Sequence, residues 1–391
     1  MKYSSTQELR PIPIIQFELF YLTPSLQKYY FLLKYTNIQL KYNTFCIKVL
    51  AIYIFFCIFA KIIKFINMER TIIAKSILGR LGNQMFQYAY CKAIKGAIGG
   101  SLAFSFDKVY HQKEIDGNTN GFEDSLQFFN VDDYELFEGD IHSHYSNKLQ
   151  RFLYRSLHYI KRKWFKSSSW QLLFSRIGLY YYNDKRNDFQ KDIIYLNKRS
   201  LFTKYILCYD FLEVPERFKS IRPVLLKDFT PKQPPLESNK ELYEVINSKN
   251  SVCISVRRGD YLNPQYADNF FICDETYFMK AIEKIKHLID SPVLVFFSDD
   301  IKWVKETIKT NLPSYYESGE DPVWEKLRLM YSCKHFIISN STFSWWAQYL
   351  SRNTNKIVIS PDHWTNDESK DIKHLISDDF ITIPCGKPSK S

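Results

Sequence analysis

Val252 to Tyr261 reads V-C-I-S-V-R-R-G-D-Y, an apolar run that ends abruptly in two arginines, a glycine and an aspartate. Its alternation of small and β-branched residues predicts a buried strand over Ser251–Val256. Guanidinium groups at the carboxyl end of such a strand suit a phosphate, because their planar fork binds oxyanions through two hydrogen bonds. Phe297-Ser298-Asp299-Asp300 ends a second apolar run, and Ser339-Asn340-Ser341-Thr342 ends a third and opens a helix. A nucleoside diphosphate needs that set of groups. Arg257 and Arg258 would neutralise phosphate, and the Ser341 and Thr342 hydroxyls with a helix N-terminus would add donors. A carboxylate, Asp299 or Asp300, could accept the N–H donors that guanine has and adenine lacks. Taken singly, each cluster is also what caps and turns use. Arg258-Gly259-Asp260 also spells an adhesion tripeptide, which would require an exposed loop.

Strands and helices must hold these groups in place. After Arg257 the pattern predicts a helix over Glu275–Leu288, a strand over Pro292–Phe297 and a helix over Ile301–Thr310. A helix over Trp324–Cys333, a strand over His335–Ile338, a helix over Phe343–Leu350 and a strand over Lys356–Ser360 follow. Alternation of this kind means right-handed βαβ units and a parallel sheet. In the first half, a strand over Thr71–Leu78 leads into Gly79-Arg80-Leu81-Gly82-Asn83 and a helix from Gln84 to Ile98, with Asn83 as its cap. The free amides of that helix start form an anion site. The spacing is not GxGxxG, so dinucleotide binding is disfavoured. Tyr205–Phe211 predicts another strand, and the proline-rich Pro223–Pro235 a linker. If Asp140, His142 and His144 lay on a strand they would share one face, as metal ligands need, although the same alternation also fits a solvated segment.

A chain of 391 residues is long enough for two domains. Its formal charge is +11, and residues 1–67 carry more than half of it, with eight Lys/Arg against two Asp/Glu. The mildly basic remainder suits an anionic small ligand and does not call for nucleic acid. Residues 1–67 contain no glycine, and Val49–Ala60 is apolar throughout. Twelve residues fall short of the ~20 needed to span a bilayer. The extension is thus read as a membrane-associated segment, a single-pass anchor through residues 45–66, or translation upstream of a functional start at Met68. Residues 141–183 hold no carboxylate and many Lys/Arg, so 145–176 are a candidate for peripheral contact with an anionic membrane. The eight cysteines form no CxxC pair, which suits buried thiols of a reducing compartment. The one Asn-x-Ser/Thr sequon is Asn340-Ser341-Thr342, inside the phosphate cluster, so a cytoplasmic site is expected.

Four motifs in order, G-R-L-G-N-Q-M-F-Q-Y-A (79–89), R-R-G-D-Y (257–261), F-S-D-D-I-K-W-V (297–304) and C-K-H-F-I-I-S-N-S-T-F-S-W-W (333–346), resemble those of the α-1,2-fucosyltransferases, glycosyltransferase family 11. The resemblance covers roughly Met68 to Trp364. It implies a GT-B arrangement, two Rossmann-like domains with parallel sheets facing across a cleft: 68–235 on the acceptor side and 236–391 binding the GDP-sugar. It also implies transfer of L-fucose from GDP-β-L-fucose to the 2-hydroxyl of a galactose-terminated glycan, with inversion. By position, Arg257 would grip the β-phosphate with Arg258 in support, Asp299 or Asp300 would hold guanine, and Ser341 and Thr342 would bind phosphate. Asn83 would reach the reacting sugar, and Asp260 is the candidate base. No metal or other cofactor is expected, since the chain has no Asp-x-Asp and arginine can stabilise the departing charge. Two departures stand out: Ser255 occupies a position the family fills with histidine, and Cys208-Tyr209-Asp210-Phe211-Leu212 replaces a Gly-Tyr-aromatic-Gln motif on the acceptor side. The competing class is a non-catalytic nucleotide-sugar or glycan-binding protein of the same fold.

Overall fold

The computed structural model describes residues 71–115, 121–152, 175–176, 178–182, 194, 196–199, 203–263, 269–366 and 373–385. Contacts divide the chain at Ile62/Ile63, and every described residue belongs to the second unit. Two parallel sheets organise it. The first contains β1 (Ile72–Ser76), β2 (Ser101–Ser105), β3 (Tyr134–Leu136), β4 (Leu179–Tyr182) and β5 (Tyr205–Cys208), in the order β3-β2-β1-β5-β4. The second contains β6 (Asn250–Val256), β7 (Pro292–Ser298), β8 (Ser314–Tyr316), β9 (His335–Ile337), β10 (Val358–Pro361) and β11 (Ile381–Ile383), in the order β11-β10-β9-β6-β7-β8. The helices that matter are α1 (Leu81–Ile98), α2 (Asp107–Ile115), α3 (Ile141–Tyr145), α4 (Arg222–Asp228), α5 (Lys240–Ser248), α6 (Glu275–Lys286), α7 (Ile301–Thr307), α8 (Val323–Ser332) and α9 (Thr342–Leu350). This is the GT-B arrangement: two Rossmann-like α/β layers face each other across a cleft lined by strand ends of both.

Both sheets change winding direction in the middle. In the first, the chain runs outward from β1 to β2 and β3, then crosses to β4 and returns to β5 beside β1. In the second it runs from β6 to β7 and β8, then crosses to β9 beside β6 and goes out to β11. Ligands of open parallel sheets sit in the crevice outside the carboxyl ends of the two strands where the direction reverses. The arginine pair ends β6, and the Ser339–Thr342 cluster ends β9.

Apolar burial holds the layers together. Strand β7 is buried along its whole length and β6 from Ser251 onward, as expected of central parallel strands with helices on both faces. The two layers meet where α1 packs on α9. Gly82 lies so close to α9 that an added Cβ would stand 2.6 Å from the Phe343 nitrogen. Trp346, fully buried, donates its indole N–H to the Gly82 carbonyl at 3.0 Å. Arg222 caps the other end of α9, donating to the Tyr349 and Ser351 carbonyls at 2.8 and 2.7 Å. Buried Glu325 on α8 ties down the segment after α4, accepting from Leu236 N–H at 3.0 Å and Tyr243 O–H at 3.0 Å.

Several local expectations change. Helix α1 starts at Leu81 with Arg80 at the cap position, so Asn83 falls in the first turn. The proline-rich stretch expected as linker begins inside α4, where Pro223 occupies the first turn and its missing N–H costs nothing. His142 and His144 lie on α3 and not on a strand, and Asp140 caps that helix by accepting from His142 N–H at 2.9 Å. A short polar side chain ahead of two amides favours the cap over the alternation. Among the described residues no helix is long and apolar enough to cross a membrane. Val49–Ala60 and most of 145–176 lie outside the described residues.

Candidate active site

The register of β6 on β7 builds the centre of the site. The strands pair residue for residue from Asn250↔Pro292 to Val256↔Ser298, so the next residues, Arg257 and Asp299, leave the sheet side by side. The Arg257 guanidinium donates to the Asp299 carboxylate at 2.8 Å, with both side chains about a quarter exposed. The second Asp299 oxygen accepts from Arg258 N–H at 3.0 Å. Gly259 is required here for room: a Cβ would stand 2.8 Å from the Asp299 carboxylate. Arg258 points elsewhere. Its guanidinium lies 3.8 Å from the centre of the Trp303 ring, and Nε stands 3.5 Å from Asp300. Asp300 caps α7, accepting from Trp303 N–H at 3.0 Å.

The β9–α9 turn supplies the other wall. Asn340 is fully buried and its amide donates to the Phe271 and Trp364 carbonyls at 3.0 and 3.1 Å. That fixes Ser341 at the cap position of α9, where its hydroxyl makes no capping bond. Thr342 donates to the Asn83 side-chain oxygen at 2.7 Å, joining the first turns of α9 and α1. Two helix N-termini therefore converge at one place in the cleft, and their partial positive charges add. The cleft has a volume of about 1220 Å³ and is lined by Asn83, Arg257, Asp299, Ser341 and Thr342.

Ser255 sits in a chain of hydroxyls. Its Oγ is 2.6 Å from Ser344 Oγ, which is 3.3 Å from Ser339 Oγ, and all three are buried. The position where the family carries histidine is thus filled by a serine satisfied from α9. Ser255→Ala should lower stability by about 0.5–1.5 kcal/mol in urea unfolding, the worth of one such bond. An unchanged midpoint would mean the hydroxyl chain contributes nothing.

Two buried ionisable groups flank the strand ends. Burial pushes the Lys75 ammonium on β1 down to about 8, and it donates to the Ser76 carbonyl at 2.6 Å. Burial also pushes the Glu317 carboxyl up, with Lys326 at 3.3 Å opposing the shift.

Of the residues singled out from sequence, Asn83, Arg257, Asp299, Ser341 and Thr342 come together in the cleft. Arg258 and Asp300 are engaged beside it with Trp303. Asp260 opens a short turn, Asp260–Leu262, and its side chain lies outside the described residues. Sequence reasoning gave no role to Arg80, whose guanidinium lies 4.6 Å from the Phe122 ring centre on the first-sheet wall of the cleft, or to Glu213. A basic residue between Gly79 and Gly82, at the start of α1, was the available signal for Arg80. Phe211 was marked only as part of the Cys208–Leu212 departure from the acceptor-side motif, and it lines the cleft. Among the described residues, no group of three His, Cys, Asp or Glu side chains could hold a metal ion. The six described cysteines are free and buried.

Facing Rossmann-like sheets, with an arginine and two helix starts between their strand ends, define a fold of the GT-B type. The chain belongs to glycosyl transferase family 11, whose family profile matches residues 173–379. It is similar to the alpha-1,2-colitosyltransferase of Escherichia coli, 29% identical over 300 residues, covering 75% of this chain and 92% of that one. It is 34% identical over 145 residues to the O-antigen biosynthesis glycosyltransferase WbnK of Escherichia coli, covering 36% of this chain and 46% of WbnK. To the galactoside 2-alpha-L-fucosyltransferase of Caenorhabditis elegans it is 28% identical over 164 residues, covering 38% of this chain and 44% of that enzyme. The chain thus spans less than half the length of these last two. Among solved structures, Arabidopsis thaliana FUT1 in complex with GDP aligns with a TM-score of 0.42 at 12% identity, covering 78% of this chain and 74% of FUT1.

Proposed function

We propose that the protein is an inverting galactoside 2-α-L-fucosyltransferase that uses GDP-β-L-fucose. The observation that carries this reading is the placement of Arg257, Ser341 and Thr342 outside β6 and β9, where the second sheet reverses direction. GDP would lie there with its β-phosphate against Arg257. The acceptor 2-hydroxyl attacks the sugar carbon from the side opposite GDP. The bond from that carbon to the phosphate oxygen breaks, and its electron pair stays on GDP, where Arg257 and the α9 amides meet the growing charge. The hydroxyl proton goes to a carboxylate, for which Asp260 is the candidate. Arginine supplies the charge that a metal would otherwise bring, so the reaction is proposed to be metal-independent. Asp299 is proposed to hold Arg257 in its extended pose and to lie within reach of guanine.

Calorimetry with GDP, UDP and ADP in EDTA tests the donor half. GDP should bind at least tenfold more tightly than either, and equal affinity for all three would remove the guanine assignment. GDP binding without sugar transfer to any acceptor would favour the non-catalytic alternative. Colitose is 3-deoxyfucose, and the similarity to a colitosyltransferase over 92% of that chain favours GDP-colitose as a second donor to assay.

We also propose a cytoplasmic site. An N-glycan on Asn340 is incompatible with its burial, and its amide is already used by Phe271 and Trp364. Peripheral contact with an anionic membrane is proposed through the basic stretch, of which Leu149 and Phe152 are each 66% exposed beside Lys148 and Arg151. Failure to float with phosphatidylserine vesicles at low salt would refute that contact.

A further inference from the structure

The backbone is unusual where β5 leaves the first sheet. Asp210 and Leu212 have φ of +66° and +59°, the left-handed region that side chains with a Cβ avoid. Phe211 stands between them, 43% exposed, whereas Leu212 is fully buried. Residues held this way persist only where their surroundings over-determine them, and they concentrate at ligand sites. Here both sides are pinned: Tyr209 O–H is 3.0 Å from His142 Nε2, Val214 N–H donates to the Leu212 carbonyl at 2.9 Å, and His374 Nε2 bonds the Glu213 carbonyl. The outcome of this arrangement is that Phe211 and Glu213 both line the cleft. β5 lies beside β1 at the point where the first sheet reverses direction, the crevice where that sheet would take a ligand. The phosphate-binding groups leave the second sheet, so the two ligand positions belong to different walls.

An exposed apolar ring in a cleft gains nothing from water and calls for an apolar surface to cover it. A phenyl ring has no hydrogen-bonding group, and its face is negative, so it attracts C–H bonds. Galactose offers such a surface: its axial 4-hydroxyl leaves the hydrogens at C3, C4 and C5 together on the opposite face. Glucose, with that hydroxyl equatorial, lacks this patch. We propose that Phe211 is the acceptor platform, its ring carrying the apolar face of the terminal galactose while the Glu213 carboxylate accepts from the sugar hydroxyls. The left-handed residues on either side turn the ring into the cleft, and the choice of galactosides over glucosides is made at this residue. This rests on the cleft being a glycosyl-transfer site.

The test uses the full chain with GDP present and methyl β-D-galactoside as probe, read by saturation-transfer NMR so that turnover is not needed. The wild type should transfer saturation most strongly to H3, H4 and H5, and methyl β-D-glucoside should give at most a tenth of that signal. Phe211→Ala should weaken galactoside binding at least tenfold while the GDP dissociation constant stays within twofold. Phe211→Trp should restore galactoside binding to within threefold. Parental galactoside binding in Phe211→Ala, parallel loss of GDP binding, or no rescue by tryptophan would each overturn the platform. The two readings fail separately: galactoside binding by Phe211 without fucosyl transfer contradicts the enzymatic reading alone, and transfer that ignores Phe211→Ala contradicts the platform alone.

Discussion

Arg257→Lys is expected to lower kcat by about 10²–10³ while the protein melts near the parental temperature. The proposed work of Arg257 is to meet two phosphate oxygens as the sugar–phosphate bond breaks. Lysine keeps the charge but loses the fork, and cannot make the same pair of hydrogen bonds. Losing one preorganised donor to a developing oxyanion costs roughly 2.7–4 kcal/mol in the barrier. Stability should change little, because the ion pair with Asp299 is partly solvated, with side chains 23% and 25% exposed. Exposed pairs of this kind are typically worth ~0–1 kcal/mol. Arg258→Lys should lose less activity, since that side chain is spent on Trp303 and Asp300. If Arg257 served only to pair with Asp299, its lysine variant would turn over at the parental rate.

Trp346→Ala should be the most destabilising single truncation at the junction of the layers. The indole ring is stacked on Phe218 with centroids 5.6 Å apart and lies within 5.3 Å of the rings of Phe86, Phe229, Trp345 and Tyr349. Removing a buried tryptophan typically costs about 3–5 kcal/mol. The loss also strands the Gly82 carbonyl, which accepts the indole N–H. Urea unfolding measures it, and Trp346→Phe should recover most of the loss because it restores the packing without the N–H. A parental midpoint for Trp346→Ala would show that the two layers are held together elsewhere.

The regular half of the chain was legible because its strands are central and parallel. Their apolar runs end sharply in polar clusters, so β6, β7 and β9 could be placed together with Arg257, Asp299, Ser341 and Thr342. Edge strands were not legible. Tyr134–Leu136 and Ser314–Tyr316 are three residues long and only half-buried or exposed, too short for a period to show. The α1 cap was misjudged, since Arg80 and not Asn83 holds that position, and the two carboxylates after β7 could not be told apart: Asp300 takes the α7 cap, leaving Asp299 for Arg257. Which of two adjacent carboxylates turns inward depends on the register of β6 on β7, a tertiary fact. The contact between Thr342 and Asn83 spans 259 positions in sequence and no local pattern announces it. The Cys208–Leu212 departure marked Phe211 only as part of an acceptor-side motif; its turn into the cleft was not legible, since a left-handed backbone at Asp210 and Leu212 is imposed by what surrounds them.

The central claim is transfer to a galactose 2-hydroxyl with inversion, and product NMR tests it most directly. The protein is incubated in EDTA with GDP-β-L-fucose and a β-galactoside, and the linkage is read from the anomeric signals and the cross-peaks over the new glycosidic bond. The expected product carries fucose in the α configuration on O2 of galactose. A product linked through another hydroxyl, a retained β configuration, or GDP released with no fucosylated galactoside would contradict it.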